Sequence, residues 1–418
     1  MVPLRRVVTG NVLALGTVSL ITDVSAEMVT AVLPAYLVLG LGLSVIQYGA
    51  LDGFYTGATA LTRLLGGYVA DRFRARKLVA GLGYGLGAVS KLGLLGAGPS
   101  ASGIGGALGV DRLGKGLRTA PRDALISLSV PPDALGRAFG VHRMMDSVGA
   151  FLGPLVALLV LAATAQAYDA VFVVSFCVAL LGVITLALFV RERREDFLPA
   201  AAGPAARTGP AARTGTLREA FGLLGGRQFR RVAMAAALLG VITIGDGFVY
   251  LLIQRRDNLP TLWFPLLAVG TNLSFLLLAA PLGALADRVG RWRVVLCGYG
   301  ALLATYLLLA ADWGGWPALL LTVGLYGVFY AATDGVLMAA AGPLLPAHLR
   351  TTGLALVQTG QALAYVLSSI GFGVAWQWWG PGTAAVVAAA AVVVAVPLAT
   401  VWLRPASAPT RAGERAQR

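Results

Sequence analysis

The chain has 418 residues, of which 57% are hydrophobic and 12% charged, with a mean hydropathy of +0.78. Soluble domains carry about 25% charged residues, so this composition excludes a soluble globular protein and indicates a polytopic membrane protein. The net charge of +14 would suggest nucleic acid in a soluble chain; its placement here points elsewhere, and no nucleic-acid partner is expected.

Twelve apolar segments can be counted, each near the length a bilayer requires. They cover approximately residues 10–37, 46–69, 78–98, 103–129, 138–163 and 168–190, then 232–253, 262–285, 294–312, 317–342, 352–377 and 382–403. An even number puts both termini on one side. Of the 33 Lys and Arg, 24 fall in alternate loops and tails, two (Arg255 and Arg256) in the opposite loops, and seven within spans. That bias places both termini in the cytoplasm. No cleavable signal peptide is evident, because the first apolar run carries Asp23 and Glu27 and leads straight into further spans.

In span one, Asp23 and Glu27 lie four residues apart, on one helical face near mid-membrane. Ionisable groups there are expensive and by default functional; either carboxylate could exchange a proton unless an ion pair holds it charged. Span four, within the stretch LGVDRLGKGLRTAPRDA (108–124), carries Asp111, Arg112, Lys115, Arg118, Arg122 and Asp123. At 100° per residue, positions 111, 115, 118 and 122 fall within about 60° of one another. Further basic partners are Arg63 in span two and Arg143 in span five, and Asp146 lies one turn beyond Arg143. These groups either line a pathway or form fixed ion pairs between helices. Also in span five, Gly149 and Gly153 permit close helix packing and Pro154 removes an intrahelical bond, allowing a bend. His142 and His348, near the inner ends of spans five and eleven, are candidate pH sensors.

After span six come the charge run Arg191 to Asp196 and a linker with GPAART in tandem at 203–208 and 209–214. Such composition reads as a flexible tether, and Leu217 to Arg231 as a short amphipathic, basic surface helix. The chain thus divides into a six-helix bundle (1–190), a cytoplasmic linker (191–231), a second bundle (232–403) and a cytoplasmic tail (404–418).

The halves repeat. Gly67 to Arg72 after span two answers Gly283 to Arg288 after span eight, and Asp23 answers Asp246 at an offset of 223. Two similar bundles sharing a site at their interface is a transporter design. In the second half Asp246, Asp334, Gln358, Gln361 and Tyr365 could line the opposite wall. Trp313, Trp316, Trp376, Trp378 and Trp379 lie at outer span ends, where indoles anchor. Cys177 and Cys297 read as small packing residues. No metal-ligand spacing, Walker-type phosphate loop or nucleophile–base set is evident, so no metal, cofactor, ATP drive or enzyme activity is expected.

GGYVADRFRARK at Gly66–Lys77 resembles the signature loop between helices two and three of the major facilitator superfamily, and GALADRVGRWR at Gly283–Arg293 resembles its second copy. The resemblance extends from span one to span twelve. It implies an all-α membrane protein of twelve transmembrane helices in two pseudo-symmetric six-helix bundles, working by alternating access. It also implies gate roles for Gly67, Asp71, Arg72, Arg76, Asp287 and Arg288.

Leu108-x-x-x-Arg112-x-x-Lys115-Gly116 and Gly149-x-x-x-Gly153-Pro154 resemble motifs of the proton-coupled drug antiporter branch. Lys115 departs from the usual Gln, and the glycines that commonly follow Pro154 are absent. TDVSAEM (22–28) together with DRLGKGLRTAPRDA (111–124) is similar to a bacterial subgroup of drug or metabolite transporters. The resemblance implies a proton-coupled exporter of an organic solute, a monomer, in the bacterial inner membrane. Asp23 and Glu27 would exchange the proton and Arg112 would modulate them. Lys115, Arg118, Arg143, Asp146, Asp246, Asp334, Gln358 and Gln361 would face the solute. The alternative is an importer or facilitator of an anionic metabolite, bound by the cations of span four.

Overall fold

Backbone amides find no water in lipid, so each crossing must close its hydrogen bonds within itself, and the described residues contain helices and no strand. The computed structural model describes residues 10–73, 75–130, 135–191, 222, 225–311, 313–334 and 350–403. The first half comprises α1 (Gly10–Ala35, continued by a π-helical turn, Tyr36–Gly40), α2 (Val45–Phe73), α3 (Arg76–Ala97), α4 (Ala101–Ser127), α5 (Leu135–Ala163) and α6 (Tyr168–Phe189). The second half comprises α7 (Arg227–Val241), α8 (Asp246–Asp257), α9 (Phe264–Val289), α10 (Arg291–Ala310), α11 (Trp316–Thr333), α12 (Arg350–Trp379) and α13 (Pro381–Leu403).

Nine of these segments, with α7 and α8 taken as one, are long and apolar enough to cross a membrane. Helices α2, α4 and α12, at 29, 27 and 30 residues, complete the twelve crossings. The protein is therefore an all-α membrane protein of two six-helix bundles. The halves meet chiefly where α2 packs on α12 and α5 on α9. Two ends of the molecule are distinguished below: the termini face, where α1 begins and α13 ends, and the far face, which carries the turns after α1, α3 and α5.

Glycine sets how closely the helices approach. A Cβ at Gly83 would sit 2.6 Å from the Gly114 carbonyl, and one at Gly114 would sit 2.5 Å from that of Gly83, so α3 and α4 touch backbone to backbone. On α5, a Cβ at Gly149 would lie 2.5 Å from the Leu20 carbonyl and one at Gly153 would lie 2.8 Å from that of Val24. Helix α5 is thus pressed against α1 at the level of Asp23 and Glu27, and Pro154 lies within the same helix.

Span seven is not one helix. It breaks over Ile242–Gly245 and restarts at Asp246. The physical reason is a set of hydroxyl groups that take over the freed backbone. Tyr306 accepts from the Ile244 amide (2.9 Å) and donates to the Ile242 carbonyl (3.1 Å), while Ser368 donates to the Thr243 carbonyl (2.8 Å). Irregular backbone at this depth persists only where protein groups satisfy it in this way. The break also leaves room for α12, because a side chain at Gly245 would collide with the Tyr365 hydroxyl and the Asp52 carboxylate.

Trp313, Trp316, Trp378 and Trp379 are 49–73% exposed at helix ends, as an interfacial belt requires. Trp376 is different. It is 5% exposed and packs on Phe248 and Phe372, so it belongs to the closed end of the bundle. Cys177 and Cys297 are exposed on the helix surface rather than packed between helices.

Candidate functional site

A cavity of about 320 Å³ lies where the two halves meet. Its wall includes Glu27 of α1, Tyr48, Asp52 and Tyr55 of α2, Asp246 and Tyr250 of α8, Asn272 of α9, Tyr330 of α11 and Tyr365 of α12. Three carboxylates and five tyrosines thus face one space, and among the described residues that line it there is no Lys or Arg.

Asp246 is the first residue of α8, where the free amides of the helix start favour a negative charge. Tyr330 donates to its Oδ1, and the Tyr326 hydroxyl lies 3.0 Å from the same oxygen and 3.2 Å from the Ile244 carbonyl, able to serve one at a time. Asp52 is held across the interface: Tyr365 and Ser369 of α12 donate to its Oδ2 at 2.9 and 2.7 Å. Glu27 has neither a hydrogen bond nor an ion pair within the described residues.

Beyond Asp52 the far face is shut. A Cβ at Gly49 would lie 2.5 Å from the Ser369 carbonyl, and one at Gly373 would lie 2.6 Å from that of Val45. Tyr48, Phe248, Phe372 and Trp376 fill the plug with edge-on and tilted ring contacts 4.8–6.0 Å apart. Thr261, after α8, bonds Gln166, between α5 and α6.

The charges of span four stand behind the cavity wall. Lys91 of α3, 5% exposed, bonds Asp111 at 2.6 Å, and Arg112 grips the other oxygen of the same carboxylate. The Arg112 guanidinium also stacks 3.6 Å from the centroid of Tyr55, which itself lines the cavity. Arg118 lies over the ring of Tyr84 and reaches Asp23 at 3.8 Å. The Lys115 ammonium has no hydrogen bond or ion pair within the described residues; the charges that act on it are Arg112, Asp23, Glu27 and Arg118. Nearer the termini face, Arg122 bonds Asp123 (3.0 Å) and Ser19 (3.2 Å), and Ser19 lies 3.5 Å from His142, which in turn faces Asp146 at 3.6 Å.

Of the predicted solute-facing residues, Asp246 lines the cavity, whereas Lys115, Arg118, Arg143, Asp146, Asp334, Gln358 and Gln361 do not. Arg143, Gln358 and Asp334 are exposed, Asp334 directly after α11. Gln361 packs its backbone against Gly240. Of the predicted gate residues, Asp287 pairs with Arg291 at 3.1 Å across the turn into α10, Arg288 is exposed beside it, and Arg76 opens α3. Gly67, Asp71 and Arg72 belong to α2, but their side chains lie outside the described residues, as do those of Arg63 and His348 and the linker 192–221.

Lys91, Asp52, Tyr326 and Tyr330 went unread in the sequence. An isolated Lys in an apolar run (Lys91) and a Gly-Asp-Gly within a span (Gly245 to Gly247) are the signals that would have found the buried pair and the helix break.

The family model of the Major Facilitator Superfamily matches residues 15–274 and 263–418. The chain belongs to that superfamily. A superfamily transporter of Methanocaldococcus jannaschii, itself described as uncharacterized, is 29% identical over 383 residues, covering 89% of this chain and 90% of its own length. An uncharacterized protein of Mycobacterium tuberculosis is 34% identical over 160 residues, 37% of each chain. Among solved structures, a nucleoside transporter named NupG aligns with a TM-score of 0.79 at 14% identity, covering 94% of this chain and all of the other. A POT family transporter in complex with 5-aminolevulinic acid aligns with a TM-score of 0.72 at 13% identity, over 94% and 95% of the two chains. At such identities these structures establish the fold alone. As a superfamily member with twelve crossings, this protein is a multi-pass membrane transporter of small-molecule solutes.

Proposed function

We propose that this superfamily member is a proton-coupled exporter of a small organic solute, which it binds in the cavity between its halves. The observation that carries the reading is Glu27: a carboxylate in the cavity wall without a bonded partner within the described residues, one turn from Asp23 and beside the unbonded ammonium of Lys115. Such a group can gain and lose a proton without dismantling an ion pair. Asp111 cannot, because Lys91 and Arg112 both hold it.

Arg112 acts in this scheme through Tyr55, on which it stacks at the cavity wall, and Lys115 is the cation closest in role to the proton site. Gly149, Gly153 and Pro154 seat α5 against α1 at the same level, so a change at Glu27 is passed directly to α5. The closed far face makes this the state that exchanges solute with the termini face. On this reading that face is cytoplasmic, which the positive-inside bias supports, and the protein is a monomer in the cytoplasmic membrane. The anion-facilitator alternative needs cations on the cavity wall, and the described wall offers none.

The test is proton release from the detergent-purified protein without solute, in weakly buffered solution. Wild type is expected to release a proton near neutral pH, Glu27→Gln to lose that release, and Asp23→Asn to keep it at a shifted pH. Release unchanged in both variants would remove the coupling assignment.

A further inference from the structure

From the cavity wall we infer that the solute is an organic cation, an ammonium or comparable nitrogen base, held between Glu27 of one half and Asp246 of the other. The inference rests on the cavity being the solute site. Three independent features point the same way.

The first is charge. Glu27, Asp52 and Asp246 are the ionisable acids of the described wall, and the cation beside Glu27, Lys115, stands outside that wall. The second is the state of those acids. Asp52 and Asp246 each receive two hydroxyl hydrogen bonds or close hydroxyl contacts, neutral donors that support a carboxylate without cancelling its charge. Glu27 has nothing bonded to it, so an incoming cation can pair with it at once. The third is the aromatic lining. Five tyrosines surround the space, and the face of an aromatic ring attracts a cation within about 6 Å of its centroid, most strongly when water is excluded. The protein already uses this contact next door, where Arg112 stacks on Tyr55 at 3.6 Å.

An anionic solute would meet three carboxylates here. A neutral one would leave the charges of Asp52 and Asp246 unanswered. A cation that bridges Glu27 and Asp246 binds both halves at once, and a proton on Glu27 would compete with it directly, which gives exchange of one for the other without any further device. The volume of about 320 Å³ suits a compact solute.

The experiment uses three probes of similar shape on the purified full chain: benzyltrimethylammonium, its uncharged carbon analogue neopentylbenzene, and benzenesulfonate. Binding is read by calorimetry and by the shift in melting temperature. Benzyltrimethylammonium is expected to bind at least tenfold more tightly than either of the others. Asp246→Asn and Glu27→Gln should each weaken it at least tenfold, while Asp246→Glu retains most of the binding and shows that the pocket is still folded. Equal or tighter binding of the sulfonate or the neutral analogue would overturn the cation assignment, as would binding of none of the three. Proton release is measured without these probes, so its loss in Glu27→Gln would stand even if the cation inference fell.

Discussion

Asp23 of α1 and Asp246 of α8 occupy matching places in the two repeats, 223 residues apart, and their surroundings could hardly differ more. Asp23 lies on an unbroken helix in a field of opposite charges: Arg118 at 3.8 Å, Lys115 near by, and the Lys91–Asp111–Arg112 cluster one helix away. Asp246 lies at a helix break among neutral hydroxyls, those of Tyr326 and Tyr330. Around Asp23 the buried charge is balanced by ion pairs. Around Asp246 it is supported by a helix start and phenols and left without a cation.

The difference follows from what each device costs. An ion pair under a membrane is rigid, since separating the partners strands two charges. A phenol can rotate from a carboxylate to a carbonyl, as Tyr326 is placed to do, and a broken helix has backbone to spare. The surroundings of Asp23 are therefore suited to hold a fixed electrostatic frame, and those of Asp246 to yield when solute arrives.

The largest effect should come from breaking that frame. Asp111→Leu leaves Lys91 and Arg112 buried without their acid, and stranding a buried charge costs about 3–5 kcal/mol. Thermal unfolding in detergent should show a sharp drop in melting temperature. Lys91→Met should cost less, because Arg112 still answers Asp111. Adding Lys91→Met to Asp111→Leu should recover part of the loss, since the stranded ammonium goes with it. A double variant no better than Asp111→Leu would mean that the pair does not work as a unit.

A smaller effect is expected at the helix break. Tyr306→Phe keeps the ring but takes away the hydroxyl that serves both the Ile244 amide and the Ile242 carbonyl. Leaving buried polar groups unpaired costs about 1–3 kcal/mol. Amide exchange should rise locally at residues 242–246 while α1 stays protected. Uniform loss of protection through both halves would show the break to be part of the frame after all.

Much of this was legible in the sequence, and what was not has a common cause. Hydropathy gave the crossings, the repeated loop at Gly67 and Gly283 gave the two halves, and the four-residue spacing of Asp23 and Glu27 put both on one face of α1. Small residues four apart at Gly149 and Gly153 foretold close packing, and the structure shows α1 against them. The sequence offers the cations of α4 as partners for Asp23, and Arg118 reaches it, but Lys91 and Tyr55 come from other helices and only the fold brings them to Asp111 and Arg112. The same holds for Asp52, whose donors Tyr365 and Ser369 are more than three hundred residues away. The break in span seven contains no proline to announce it. Gly245-Asp246-Gly247 marks the place, but the hydroxyls on α10 and α12 that sustain the break are distant in the chain, and no local pattern names them.

The smallest effect separates a surface charge from a buried one. Asp287 and Arg291 form an ion pair at 3.1 Å, in the second-half copy of the loop motif, with side chains 67% and 39% exposed. Exposed pairs contribute about 0–1 kcal/mol and are screened by salt. Asp287→Asn should therefore leave the melting temperature nearly unchanged, and the remaining difference should vanish in about 1 M salt, where the Debye length falls to about 3 Å. If the motif is a gate, the same variant should change transport rate while stability stays level, because a gate needs its pair only in one of the two states. A melting-temperature loss as large as that of Asp111→Leu would reverse the assignment. The loop would then brace the bundle as the buried cluster does, and the contrast between the fixed surroundings of Asp23 and the yielding ones of Asp246 would not extend to the surface.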